Sequence, residues 1–137
     1  MGKKITIQAD ILGDIQKVWD MWTEPQDIIN WAFASDDWEA PKSENDLREG
    51  GRFLTVMRAK DGSVSFGFTG TYTKVEDKKL IEYKIDDGRM VSTTFTPTND
   101  GVHIEGTFEM EEENPEEMQR AGWQAILDNF KRYAESK

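Results

Sequence analysis

The stretch "NPEEMQRAGWQAILDNFKRYAESK" near the end of the chain constrains the fold more than any other. At about 100° per residue, Met118, Gly122, Trp123, Ile126, Leu127, Phe130, Tyr133 and Ala134 fall on one half of a helix. Arg120, Gln124, Asp128, Lys131, Arg132 and Glu135 fall on the other half. Asn114 suits the cap and Pro115 the first turn. Glu116 and Glu117 match the positive end of the helix dipole, and Lys131 and Arg132 lie toward the negative end. A helix with so wide an apolar face has to bury it, and most of what precedes it reads as strand.

Two hairpin turns organise that part. "RFLTVMRA" and "SVSFGFTGTYTKVE" flank "KDGS", and "KLIEYKI" and "RMVSTTFTP" flank "DDGR". "TNDG" then leads into "VHIEGTFEM", where Val102, Ile104, Gly106, Phe108 and Met110 share one face. His103, Glu105, Thr107 and Glu109 share the other, an inside-outside alternation. Upstream, "KKITIQAD" alternates as a strand. "GDIQKVWDMWTEP" is a helix capped by Asp14, and "PQDIINWAF" a second helix opened by Pro25. "DDWEAP" reads as a strand and "SENDLREGG" as a turn. The chain is therefore expected to be α+β, with two short helices after the first strand. A curved antiparallel sheet of about six or seven strands should grip the long C-terminal helix, all within one domain over residues 1–137.

Composition removes several function classes. Twenty-seven acidic against 17 basic side chains give a net charge of −10, which opposes binding to nucleic acid or anionic membranes. With no cysteine and a single histidine, disulfides, thiolate metal sites, Cys/His metal sites and Cys/His triads are excluded. No apolar run is long enough for a membrane span, no signal peptide is visible, and the lack of cysteine suits a cytoplasmic protein. An acylation match at Met1-Gly2 is a coincidence, because lysines intervene before Thr6. No catalytic residue, cofactor or metal is expected. His103 points outward on the alternation, Asp36-Asp37 and Asp86-Asp87 lie in loops, and "GGRF" lacks the helix that a phosphate-binding loop requires.

The segments "VWDMWTEPQDIINWAF", "DLREGGRF", "GTYTKVEDKKLIEY" and "GWQAILDNFKRY" occur in an order and spacing that resembles one known family. It is the activator of Hsp90 ATPase homologue 1-like family, within the START and Bet v 1-like helix-grip superfamily. The resemblance implies an internal cavity between the sheet and the C-terminal helix. It also implies a choice of roles, since the superfamily holds lipid carriers, hormone receptors, cyclases and ligand-sequestering proteins. The family's co-chaperones carry a further N-terminal domain, for which 137 residues leave no room. A small apolar molecule is the expected partner, with a chaperone or other protein as the alternative and a cyclase or hydrolase in the same cavity as the third.

In that helix-grip arrangement, Trp31, Phe33, Phe66, Phe68, Tyr83, Phe95 and Trp123 are expected to line the cavity, joined by Phe53, Met57 and Ile126. Phe53/Met57 and Leu54/Val56 are both apolar, so the phase of their strand stays open. Gln119 falls inside the apolar half of the closing helix, and Gly122 removes a side chain there. One reading makes Gly122 the roof of a void and Gln119 its single polar hook, with Tyr83 as a second. The other lets Gly122 bring the helix close to a strand and leaves Gln119 partly exposed.

Overall fold

The computed structural model describes residues 3–137; Met1 and Gly2, where the acylation match fell, lie outside them. The elements run β1 (Lys4–Leu12), α1 (Ile15–Thr23), α2 (Pro25–Ile28), β2 (Trp38–Asn45), β3 (Arg52–Ala59), β4 (Ser65–Glu76), β5 (Leu80–Ile85), β6 (Met90–Pro97), β7 (Gly101–Glu109) and α3 (Glu116–Glu135). All seven strands pair antiparallel in the order β1-β7-β6-β5-β4-β3-β2, forming a curled sheet around α3, the helix-grip arrangement. The hairpin signals held because the chain supplies the backbone those turns need. Gly62 and Gly88 take φ of 81° and 101°, a region other residues avoid. Register shifts between Glu39 and Lys42 and between Tyr72 and Lys74 add curvature.

Three local boundaries differ from the sequence reading. β2 continues through Ser43, Glu44 and Asn45, which pair with Thr55, Leu54 and Phe53. Polar residues are tolerated there because β2 is a sheet edge. α2 is only four residues long: the Asn30 side chain donates to the Gln26 carbonyl at 2.9 Å, competing with the backbone ladder. α3 begins at Glu116 with Pro115 as its cap, and the Asn114 side chain instead donates to Glu111.

α3 lies along β1 rather than over the centre of the sheet. Its side chains satisfy the outward-facing backbone of that edge strand. Gln124 accepts from Gln8 N at 3.4 Å and donates to Gln8 O at 3.1 Å. Lys131 Nζ donates to Asp10 O at 2.5 Å, and Glu135 accepts from Leu12 N at 3.0 Å. Three residues of the helix's polar half, Gln124, Lys131 and Glu135, therefore cover a sheet edge. The apolar half delivers Leu127 and Phe130 to the core, 2% and 0% exposed. Met118, expected on that half, is 62% exposed.

Neither residue that drew attention on α3 has the expected role. Gln119 is buried, and its amide spends itself on the turn before the helix. It accepts from Glu111 N at 2.9 Å and donates to Glu111 O at 3.0 Å and Asn114 O at 2.8 Å. A Cβ added at Gly122 would meet no atom within 4 Å. Gly122 thus neither enables a close approach to a strand nor stands against a wall.

Two expectations follow. Gly122→Ala should stabilise the protein by about 0.5–1 kcal/mol, because helix propensity improves and no contact opposes the methyl; a lower urea midpoint would contradict this. His103 on β7 faces Asp10 on β1, with Nδ1 2.8 Å from the carboxylate, and that hydrogen bond is the main reason its pKa is raised above 6.5. Its contribution to stability is full below about pH 6.5 and fades as pH rises through the higher folded value. An NMR titration of His103 should show the raised value, falling back toward 6.5 in Asp10→Asn.

Candidate functional site

Between the sheet and α3 lies a pocket of about 340 Å³. It begins where α3 stops covering the sheet. On the β1–β7 side the wall is Ile7, Ile104, Gly106 and Phe108. Gly106 faces inward between Ile104 and Phe108, and a Cβ there would touch Ile7 Cγ1 at an ordinary 3.5 Å. The missing side chain therefore leaves usable room rather than relieving a clash.

The β3–β4 hairpin forms the opposite wall with Phe53, Thr55, Met57, Phe66 and Phe68. The open phase is thus resolved: Phe53, Thr55 and Met57 face inward. The Phe53 ring lies across its strand neighbour Gly70, where a Cβ would stand 2.7 Å from Phe53 Cζ and 2.6 Å from Lys84 O. Only glycine lets the ring fold down this way. Phe66 is 48% exposed, packs edge-on to Trp38 and stands at the rim.

Trp22, Ile28, Trp31 and Ala32 from the helical segment close one end. Trp22, Trp31 and Phe130 form a triangle with all three ring separations at 4.9 Å. This end is held firmly. Trp31 Nε1 donates to Met21 O at 2.9 Å, Asn129 Nδ2 to Trp31 O at 2.9 Å, and Tyr133 to Asp27 at 2.5 Å. α3 supplies Trp123, Ile126 and Leu127. The Trp123 indole stacks on Phe108 at 4.0 Å and meets Phe68 edge-on at 6.1 Å.

The remaining wall, from β4 through β6, carries most of the polarity: Tyr72, Tyr83, Arg89 and Thr93, alongside Val91. Tyr72 donates to Asn45 Oδ1 at 2.5 Å, and Asn45 donates to Thr23 O at 2.7 Å, so this hydroxyl is committed to structure. Tyr83 has no hydrogen-bond partner among the described residues, and its hydroxyl is not sealed in the interior. Burial pushes both tyrosines well above their ordinary pKa, with Tyr72 adding to the rise at Tyr83 and Arg89 countering it. Both are neutral donors near neutral pH. No aspartate, glutamate or histidine lines the pocket, so it offers no carboxylate or imidazole for acid-base chemistry.

Of the residues singled out from sequence, Trp31, Phe53, Met57, Phe66, Phe68, Tyr83, Trp123 and Ile126 line this pocket. Four do not. Phe95 is 3% exposed and packs edge-on against Trp19 and Trp22, in the core beneath α1. Phe33 is half-buried beyond the short helix, where its carbonyl accepts from Asn129. Gln119 and Gly122 lie outside the pocket for the reasons above. The sequence reading missed Arg89, Val91 and Thr93, although period-two alternation puts them on the same face of the strand as Phe95. The loop carboxylates serve structure: Asp86 takes a two-pronged hydrogen bond from Arg52 at 2.8 Å, and Asp87 accepts from Arg89 Nε at 2.9 Å.

Comparison with known proteins returns the same architecture. The sequence profile of the family described as Activator of Hsp90 ATPase homolog 1-like protein matches residues 14–135. The AHSA1-like protein from Aeromonas hydrophila, solved in solution, is 46% identical with a TM-score of 0.92, over 98% of this chain and 93% of its own. A Cytophaga hutchinsonii protein is 50% identical with a TM-score of 0.84, over 97% of this chain and 92% of its own. A Nitrosomonas europaea protein at 20% identity has a TM-score of 0.84, over 97% and 94% of the two chains, and is a likeness of fold alone. No curated protein matches the chain. A profile that spans nearly every residue, with relatives close to half identical along almost their full length, makes this chain a member of the activator of Hsp90 ATPase homologue 1-like family.

Proposed function

We propose that the protein binds a small, largely apolar molecule in the pocket between the sheet and α3. The observation that carries this reading is a space of about 340 Å³ walled mostly by aromatic and aliphatic side chains, with a few polar groups. That is the composition of small-molecule sites, and the volume lies at the low end of their range. Room for about ten water-sized groups suits a guest with roughly ten to fifteen non-hydrogen atoms. The rigid triangle of Trp22, Trp31 and Phe130 supports a preformed site, since little has to be ordered when a guest arrives.

Gly106 provides the test. A leucine there would project into the pocket from a position with only ordinary contacts around it. Saturating decanol or a similar apolar compound should raise the melting temperature of the wild type by several degrees, because a guest at 100 times its Kd stabilises by about 2.7 kcal/mol. Gly106→Leu should fold and abolish that rise, with Gly106→Ala intermediate. Failure of every compound of this size to stabilise the wild type, or an unchanged response in G106L, would refute the reading.

A second reading follows from family membership: the chain stimulates an Hsp90-type ATPase through its surface. The exposed apolar residues Val64 and Phe66 at the tip of the β3–β4 hairpin favour it. It predicts measurable stimulation of such an ATPase, equal in the wild type and G106L. Pocket-dependent stabilisation without any stimulation would leave only the binding reading.

A further inference from the structure

Resting on the binding reading above, we infer that the guest is an organic acid, its carboxylate held by Arg89 and Tyr83 and its apolar body lying against Phe53, Phe68 and Trp123. Arg89 ends the turn between β5 and β6, directly before the strand, and lines the pocket in phase with Val91 and Thr93. Its side chain is only 20% exposed, so a permanent positive charge forms part of the wall of a largely apolar pocket. A charge so placed is costly unless its hydrogen bonds are made.

The protein makes only some of them. A guanidinium carries five N–H groups. Nε donates to Asp87 Oδ2 at 2.9 Å, and one Nη1 hydrogen makes a long 3.4 Å contact with Glu109 O. The other three have no acceptor among the described residues. Asp87, itself exposed, engages the guanidinium through Nε alone, which leaves the Nη1–Nη2 edge with three of its four hydrogens free among the described residues. That edge is the one suited to a two-pronged bond with a carboxylate, roughly twice as strong as a bond between neutral groups. Tyr83 adds a neutral hydroxyl without a partner on the same wall, and it is aligned across the strand pair with Val91, two residues from Arg89.

The surroundings argue for an acid rather than any polar ligand. A neutral alcohol or ester satisfies the free donors but adds no negative charge beside a guanidinium that only the exposed Asp87 offsets. A carboxylate does both. Outside the pocket, Arg89 also borders a depression lined by Asp87, Glu109 and Glu111, Glu112 and Glu113. Of these carboxylates only Asp87 pairs with the guanidinium. The acidic exterior opposes entry of an anion at long range, so the specificity has to come from contact with Arg89.

Calorimetric titration with decanoate, methyl decanoate and decanol separates the possibilities. The wild type should bind decanoate at least about tenfold more tightly than the ester or the alcohol. Arg89→Met should lose that preference, its affinity for decanoate falling to no more than its affinity for decanol. Arg89→Lys, which keeps the charge without the fork, should keep part of the preference and guards against misfolding of R89M. Asp87→Asn should tighten decanoate binding several-fold by freeing a competing carboxylate. Equal binding of the three compounds by the wild type, or a preference that survives R89M, overturns the acid assignment while leaving an apolar binding site intact. Failure of all three to bind the wild type overturns the binding reading, and the acid assignment falls with it.

Discussion

The contact on which the architecture depends is the pairing of α3 with the exposed edge of β1. A sheet edge presents backbone donors and acceptors that must find partners. Here the partners are side chains: Gln124 takes both groups of Gln8, Lys131 takes the carbonyl of Asp10, and Glu135 takes the amide of Leu12. These helix positions lie along one face, and the strand residues alternate, so two elements of different period stay in step from Gln8 to Leu12. The helix is thereby pinned to one side of the sheet. It buries β1 and β7 under Leu127 and Phe130 and does not extend its own backbone over β3, β4 and β5.

What spans the uncovered part is a set of rings. In a flat sheet, β4 and β7 would stand about 14 Å apart, yet the Trp123 indole touches Phe68 on one and Phe108 on the other. Curvature brings the strands together, and long side chains cover the remaining distance. Rings bridging a gap enclose space without filling it. The pocket is therefore a consequence of where the helix is held, and its aromatic lining is what that distance requires.

The same geometry explains which features were legible in the sequence. β3 through β7 were readable almost to the residue, because hairpin turns mark their ends and alternation marks their faces. Together with the helix-grip resemblance, that pointed to the pocket-facing aromatics of β4 and β5, whereas both faces of β3 are apolar and its phase stayed open. Phe95 did not, because alternation says which face a residue occupies and not whether that part of the face lies under α1 or under open space. Gln119 and Gly122 misled for a related reason. A helical wheel assumes one buried face and one wet face, whereas α3 has three environments: the core, the β1 edge and the turn that Gln119 ties down. The length of β2 was hidden by its polarity, which an edge strand permits. Arg89 was overlooked because an arginine beside a turn reads as solvated; only the structure reveals how little of it reaches water.

The contrast between two glycines says why the space matters. Gly122 sits in a helix with nothing beside it, and a methyl group there would be gained at no steric cost. Gly106 sits on the inward face of a central strand, where a larger residue would bury apolar surface worth about 0.8 kcal/mol per methylene. Both positions forgo stability, but only Gly106 does so in a way that keeps a volume empty. Thr55 and Thr93 add to the pattern, since each is almost fully buried and puts a short side chain into the pocket lining. Three small residues converge on one void from β3, β6 and β7, and Arg89, whose donors are only partly used, lies on its β6 side. Larger side chains at these positions would add buried apolar surface, so the space is kept at a cost in stability.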